Sequence, residues 1–130
     1  MRYTTNMLNL NSIMVGTMQP KEMAEFYEKV FNKKPDWNDS NWRGWQVGST
    51  HFTLGEHSKM GGKTKDPGRL MFNLETKEVE KEFERIKEAG AEVIKAPYNP
   101  DPAHSMLIAT FADPDGNYFQ LMSPMKQEKR

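Results

Sequence analysis

The hydrophobic periodicity of this chain runs through the same order twice, and that repetition narrows the possible folds more than any single motif. Leu8 to Val15 reads as a strand. A helix follows from Pro20, a residue suited to the first helical position, with Met23, Phe26, Tyr27, Val30 and Phe31 on one face. Asn32 to Asn41 reads as turn, and Trp42 to Val47 with Thr50 to Leu54 forms a hairpin through Gly48-Ser49. After a polar connector the order returns. Arg69 to Leu74 alternates as a strand, and Thr76 is placed to cap a helix whose apolar face is Val79, Phe83, Ile86 and Ala89, stopped by Gly90. Glu92 to Ile94 starts another strand, Pro97 to Pro102 reads as a loop, and a hairpin joins Met106–Phe111 to Tyr118–Met122.

The reading is an α+β fold of two βαβββ modules with a mostly antiparallel sheet, helices covering one face and the other face free to curl. Module one spans residues 8–55, the connector 56–68, module two 69–124 and a polar tail 125–130, all in one domain. The last hairpin turns at Asp113-Pro114-Asp115-Gly116-Asn117. Pro114 presets φ for the second turn position, the aspartates bond locally to backbone, and Gly116 takes the left-handed site.

Composition removes several function classes. Lys+Arg and Asp+Glu both number 18 and are interspersed, so no cationic surface tracks a phosphate backbone, and nucleic acid is not an expected partner. No apolar run spans a bilayer, and Met1 to Asn9 is too polar and short for a signal peptide; a soluble, cytoplasmic protein is expected. The absence of cysteine excludes disulfides, thiolate metal sites and a cysteine nucleophile. Ten methionines serve either as adaptable core filling or as the lining of a pliable apolar cavity.

Two motifs carry a resemblance. Glu25-Phe26-Tyr27-Glu28-Lys29-Val30-Phe31 resembles the "FY-x-x-x-L-G" helix of the vicinal oxygen chelate superfamily, which includes glyoxalase I, extradiol dioxygenases, and fosfomycin- and bleomycin-resistance proteins. Asp113 to Asn117 resembles that superfamily's C-terminal "DPDGN" turn, and with Lys87-Glu88-Ala89-Gly90-Ala91 between them the likeness covers residues 8 to 124. The resemblance implies that the sheets curve into a cup that holds the site, and that the protein is a homodimer with cavities at or near the subunit interface.

Strand alternation then assigns the cup. With Ile13 and Val15 under the first helix, Leu10, Ser12 and Met14 face it; the same logic gives His51 and Thr53, then Arg69, Met71 and Asn73, then Tyr118, Gln120 and Met122. Trp42 and Trp45 on the first hairpin stack on a flat ligand or, alternatively, form an edge cluster or dimer contact.

Metal-dependent members of the superfamily carry His, Gln or Glu at one central position on each of four strands, and the resemblance puts those positions at Ser12, Thr53 (His51 if the register shifts by two), Arg69 and Gln120. Arg69 brings a positive charge toward a cation, and Gln120 is a neutral donor where the family has a carboxylate. No metal and no other cofactor is therefore expected. His51, Glu56 and His57 near a strand end, and His104 in the loop before the last hairpin, are the remaining candidates for a displaced metal or acid–base group. The Lys59 to Lys65 run reads as a solvated loop or an anion-steering patch.

Three functions follow as expectations. The first is a metal-free protein that sequesters an apolar or aromatic small molecule, with no catalytic residue assigned. The second is a superfamily enzyme (lyase, isomerase or dioxygenase type) with a displaced or absent metal. The third is an accessory dimer scaffold.

Overall fold

A computed structural model describes residues 8–39 and 42–124; the polar tail and most of Met1 to Asn9 lie outside the described residues. The elements are β1 (Ser12–Thr17), α1 (Pro20–Phe31), β2 (Trp37–Asn38), β3 (Trp42–Val47), β4 (Thr50–Glu56), β5 (Phe72–Glu75), α2 (Val79–Glu88), β6 (Glu92–Tyr98), β7 (Ile108–Ala112) and β8 (Tyr118–Met122). They form two four-stranded mixed sheets, ordered β1-β4-β3-β2 and β5-β8-β7-β6, each with one helix. In both, the first strand pairs parallel with the last and the remaining pairs are antiparallel. The duplication read from periodicity is thus a duplication of topology.

Helix α1 begins with Pro20 at its first turn and ends at Asn32, which takes a left-handed φ of 59° and returns its backbone N–H to the Glu28 carbonyl. Helix α2 ends as its sequence indicates, with Gly90 at φ 105°. Its start differs. Thr76 does not cap it: the helix begins at Val79, and the Thr76 hydroxyl instead accepts the Glu78 backbone N–H at 3.0 Å in a turn just upstream.

Several strand boundaries also move, among them the start of β5, which is Phe72 and not Arg69. β1 starts at Ser12 and runs on to Thr17, so Leu10 precedes it and is exposed. A short β2 pairs Trp37 with Gly44 and Asn38 with Arg43 inside the segment read as turn. β6 continues through Pro97 to Tyr98, because the edge strand shifts register between Val93 and Lys95 and again before Tyr98 and so accommodates a residue without an N–H.

The helix-side faces of both sheets share one core. Tyr27 of α1 lies 4.6 Å from Phe52 in its own sheet and 5.9 Å from Phe119 in the other, measured between ring centroids. Phe52 meets Phe72 across the sheets at 5.2 Å, and Phe72 stacks on Phe119 at 5.6 Å. The Arg85 guanidinium on α2 donates to the Lys29 and Val30 carbonyls at 2.8 Å each, satisfying acceptors that the end of α1 leaves open. The opposite faces of both sheets therefore point away from this core, and they carry the candidate site.

Candidate functional site

On the first sheet, Phe52 and Leu54 are buried toward the helices, which turns His51, Thr53 and Gly55 outward. Register extends that outward face across the neighbours: Ser12, Met14 and Gly16 on β1, and Gln46, Gly44 and Trp42 on β3. Trp37 on β2 stands opposite Gly44. The three glycines on this face are seats. A Cβ at Gly44 would land inside the Trp37 indole, one at Gly55 would strike the Trp42 indole, and one at Gly16 would sit 3.3 Å from the Met60 side chain. The His51 ring meets Trp37 edge to face at 5.3 Å. The result is a shallow apolar platform: Met14 is 66% exposed, Met60 50%, Trp42 41% and Trp37 40%. Thr53 stands beside Gly44 in the same row as Trp37, its hydroxyl donating to the Ile13 carbonyl at 3.3 Å.

Trp45 does not belong to this surface. It pairs directly with Phe52 on the helix side, is 0% exposed, and donates its indole N–H to the Lys33 carbonyl at 2.9 Å. Two strand residues three apart point to opposite faces, so Trp42 and Trp45 cannot both line the cup. The second outward indole is Trp37. Its only signal in the sequence was a bulky ring in a segment with no strand pattern, since the pairing that places it is two residues long.

The second sheet presents Tyr118, Gln120 and Met122 from β8 and, by register, Asn73 and Glu75 from β5. Gln120 donates its amide to the Thr110 hydroxyl at 3.1 Å. Met71 and Arg69 lie just before β5; both are exposed, and Arg69 makes a loose 3.8 Å ion pair with Asp66. Lys65, Arg69 and Tyr118 line an open cleft of about 520 Å³ at that edge.

The histidines are dispersed. His51 belongs to the platform, and His57 accepts the Lys59 backbone N–H at its Nδ1. His104 is held in the β6–β7 loop by a 2.8 Å contact from Nδ1 to Asp101, and this hydrogen bond, with one from the Ala103 backbone, lowers the Asp101 carboxyl below its ordinary range. Among the described residues, no three of His, Asp or Glu gather in metal-binding geometry. The four positions that the superfamily uses for its metal do not suit one here: Ser12, Thr53 and Gln120 are neutral, two of them are engaged with protein partners, and Arg69 is cationic.

Beneath both faces the β7–β8 turn ties the modules together. Asp113 accepts the Asp115 and Asn117 backbone N–H groups on one oxygen, at 2.9 Å each, and the Tyr27 hydroxyl on the other. Asp115 accepts the Gln19 side-chain amide at 2.6 Å, and its carbonyl accepts the Thr64 N–H from the connector. No helix among the described residues is long and apolar enough to cross a membrane.

Comparison with known proteins agrees with this architecture. The glyoxalase-like domain matches residues 12–122. A glyoxalase-related enzyme from Fulvimarina pelagi superposes with a TM-score of 0.73 at 21% identity, over 89% of this chain and 88% of that one. A glyoxalase/bleomycin resistance protein/dioxygenase family enzyme from Burkholderia phytofirmans PsJN gives 0.70 at 24% identity, over 89% and 98%. A glyoxalase/bleomycin resistance protein from Catenulispora acidiphila gives 0.69 at 17%, over 90% and 100%. No curated protein matches the sequence.

Proposed function

The chain belongs to the glyoxalase-like family of the vicinal oxygen chelate superfamily, and from that premise we propose that it binds an apolar, aromatic small molecule on its outward sheet faces without a metal. The observation that carries this reading is the pair of exposed indoles, Trp37 and Trp42, each laid on a glycine. Flat polarizable rings held by the backbone are suited to stacking, and the neighbouring Met14 and Met60 thioethers adapt to an irregular outline. Ser12, His51, Thr53, Asn73, Tyr118 and Gln120 supply polar groups that orient a ligand, with Met71, Met122 and Arg69 at the edge. The active form is proposed to be a homodimer: Met14 on β1, with Leu10 before the strand and Met18 after it, leaves exposed apolar side chains that a second copy would cover.

A thermal-shift screen of planar aromatic compounds tests the reading. A stabilising compound whose effect disappears in Trp37→Ala and Trp42→Ala supports it. Retention of the effect in both variants would sink it, as would stoichiometric Zn, Ni, Mn or Fe that is lost on His51→Ala.

One observation favours catalysis as the second reading. The Asp101 carboxylate orients the exposed His104 ring, which leaves Nε2 available to a substrate proton. Turnover of any candidate substrate that falls at least tenfold in His104→Gln would move the assignment to an enzyme.

A further inference from the structure

The connector between the modules closes over one end of the platform. The His57 N–H donates to the Thr17 carbonyl at 2.8 Å, the Met60 N–H returns to the His57 carbonyl at 3.1 Å, and the Thr64 N–H reaches the Asp115 carbonyl of the β7–β8 turn at 3.1 Å. Between these anchors the connector walls a recess of about 230 Å³, together with Gly16 of β1 and with Asp115 and Asn117 of the turn. Gly16 and Met60 belong to recess and platform alike. The Trp42 indole lies over Gly55, and the Met60 and His57 side chains lie over Gly16, which pairs with Gly55. Neighbouring strands are about 4.8 Å apart, so a ring stacked on Trp42 brings a substituent to the mouth of the recess. The recess is smaller than the sites that take whole organic ligands, at about 300–1,000 Å³, but it has room for one ionic group.

The donors on that wall are uncompensated. Lys59 and Lys63 line the recess, and neither forms an ion pair among the described residues. The Lys63 stem is laid against the turn, its Cδ 3.1 Å from where a Cβ on Gly116 would stand. The backbone N–H groups of Gly61, Gly62 and Lys63 have no acceptor among the described residues, and Gly62 takes φ 75°. Successive open N–H groups about a left-handed residue are suited to holding an anion. Asp115 is the one acidic residue on the wall; it is buried, and its carboxylate already accepts the Gln19 amide at 2.6 Å. Glu56 follows outward-facing Gly55 on β4 and so stands on the opposite face. An ammonium group entering the recess meets two unpaired cations. An anion meets two cations and three open donors.

We propose that this recess is the anion subsite of the platform, and that the ligand is an aromatic anion. Its ring lies on Trp42 and Met60, and its carboxylate, sulfonate or phosphate group sits beside Lys59, Lys63 and the Gly61-Gly62 backbone. The proposal rests on the outward-face reading and names the ligand class for it.

The test titrates the full chain with 2-naphthoate, 2-naphthylmethanol and 2-naphthylmethylammonium in a calorimeter. At about 20 mM ionic strength the carboxylate is expected to bind about fivefold tighter than the alcohol, with the ammonium weakest, and the gap should close at about 500 mM. Lys59→Gln with Lys63→Gln should bring the carboxylate down to the affinity of the alcohol. Lys77→Gln with Lys81→Gln, an equal loss of charge at exposed positions around the start of α2, should leave the preference intact. Trp42→Ala should weaken carboxylate and alcohol together. Equal affinity of carboxylate and alcohol for the wild-type chain overturns the proposal, as does a preference that survives the Lys59 and Lys63 exchange; in both cases alcohol binding that Trp42→Ala abolishes keeps the platform reading. Absence of binding by all three probes overturns the proposal, and binding that Trp37→Ala and Trp42→Ala leave intact overturns the platform reading with it.

Discussion

The Tyr27 hydroxyl donates a 2.7 Å hydrogen bond to the Asp113 carboxylate, across 86 positions of sequence and between the two modules. Both groups are buried. Burial first, and then the Asp113 charge, push the Tyr27 phenol well above its ordinary value. Burial also raises the Asp113 carboxyl, against the opposing effect of hydrogen bonds from Asn117 and Tyr27. The bond thus partly offsets the cost of keeping an ionised carboxylate inside the turn.

Replacing Tyr27 by Phe removes a donor to the charged form, so the Asp113 pKa rises further. A carboxyl raised on folding binds more protons in the folded chain between about pH 4, its ordinary pKa, and the raised value. Its contribution to stability is complete below that window and declines as the pH climbs through it. The variant should therefore lose about 1–3 kcal/mol at neutral pH and less in acid. Denaturant midpoints from pH 4 to 8 check this; a loss constant across the range contradicts it.

The three tryptophans should separate by face. Trp45→Ala removes a fully buried indole packed against Phe31 and Phe52 and should cost about 3–5 kcal/mol. Trp37→Ala and Trp42→Ala remove half-exposed rings and should cost roughly 1 kcal/mol each, while abolishing ligand binding on the platform. Equal stability losses in the three variants would contradict the assignment of Trp45 to the core.

What was legible before the structure is what short-range chemistry decides. Pro20, the apolar stripe of α1 and the Asp113–Asn117 turn act over a few residues, and each stands where its local pattern puts it. The faces of β4 and β8 followed from alternation once the helix side was known, whereas on β5 only Asn73 did, because the strand starts at Phe72 and leaves Arg69, Leu70 and Met71 exposed before it. Trp37 and Trp45 were not legible because their placement depends on register. β2 forms only when the Asp36 carboxylate accepts the Gln46 N–H and Asp36 N–H reaches the Gly44 carbonyl, contacts made after the chain has folded back. Thr76 misled for a related reason: its backbone N–H is drawn to the Met122 carbonyl of β8, which moves the helix start beyond its reach.

Arg85 should resist a conservative exchange. Its planar fork reaches the Lys29 and Val30 carbonyls and Glu82 at once, whereas a lysine ammonium cannot span that geometry. Arg85→Lys should cost about 1–2 kcal/mol and speed amide exchange at the end of α1. A cost matched by Glu82→Gln alone would mean that the ion pair, and not the capping of α1, is what the guanidinium contributes.

The glycine seats give the sharpest test of the platform. Gly44 and Gly55 have ordinary strand backbone, so alanine is compatible with the main chain at both, and its methyl group collides with an indole that has an open side to move toward. The penalty should therefore fall on ring position more than on stability, within about 1 kcal/mol. Gly55→Ala should unseat Trp42 and Gly44→Ala should unseat Trp37, each shifting emission to the red and increasing quenching by acrylamide, over a constant background from buried Trp45. Ligand affinity at the platform should fall with the emission shift. Unchanged emission and affinity in both variants would mean that the glycines are not what holds the rings in place.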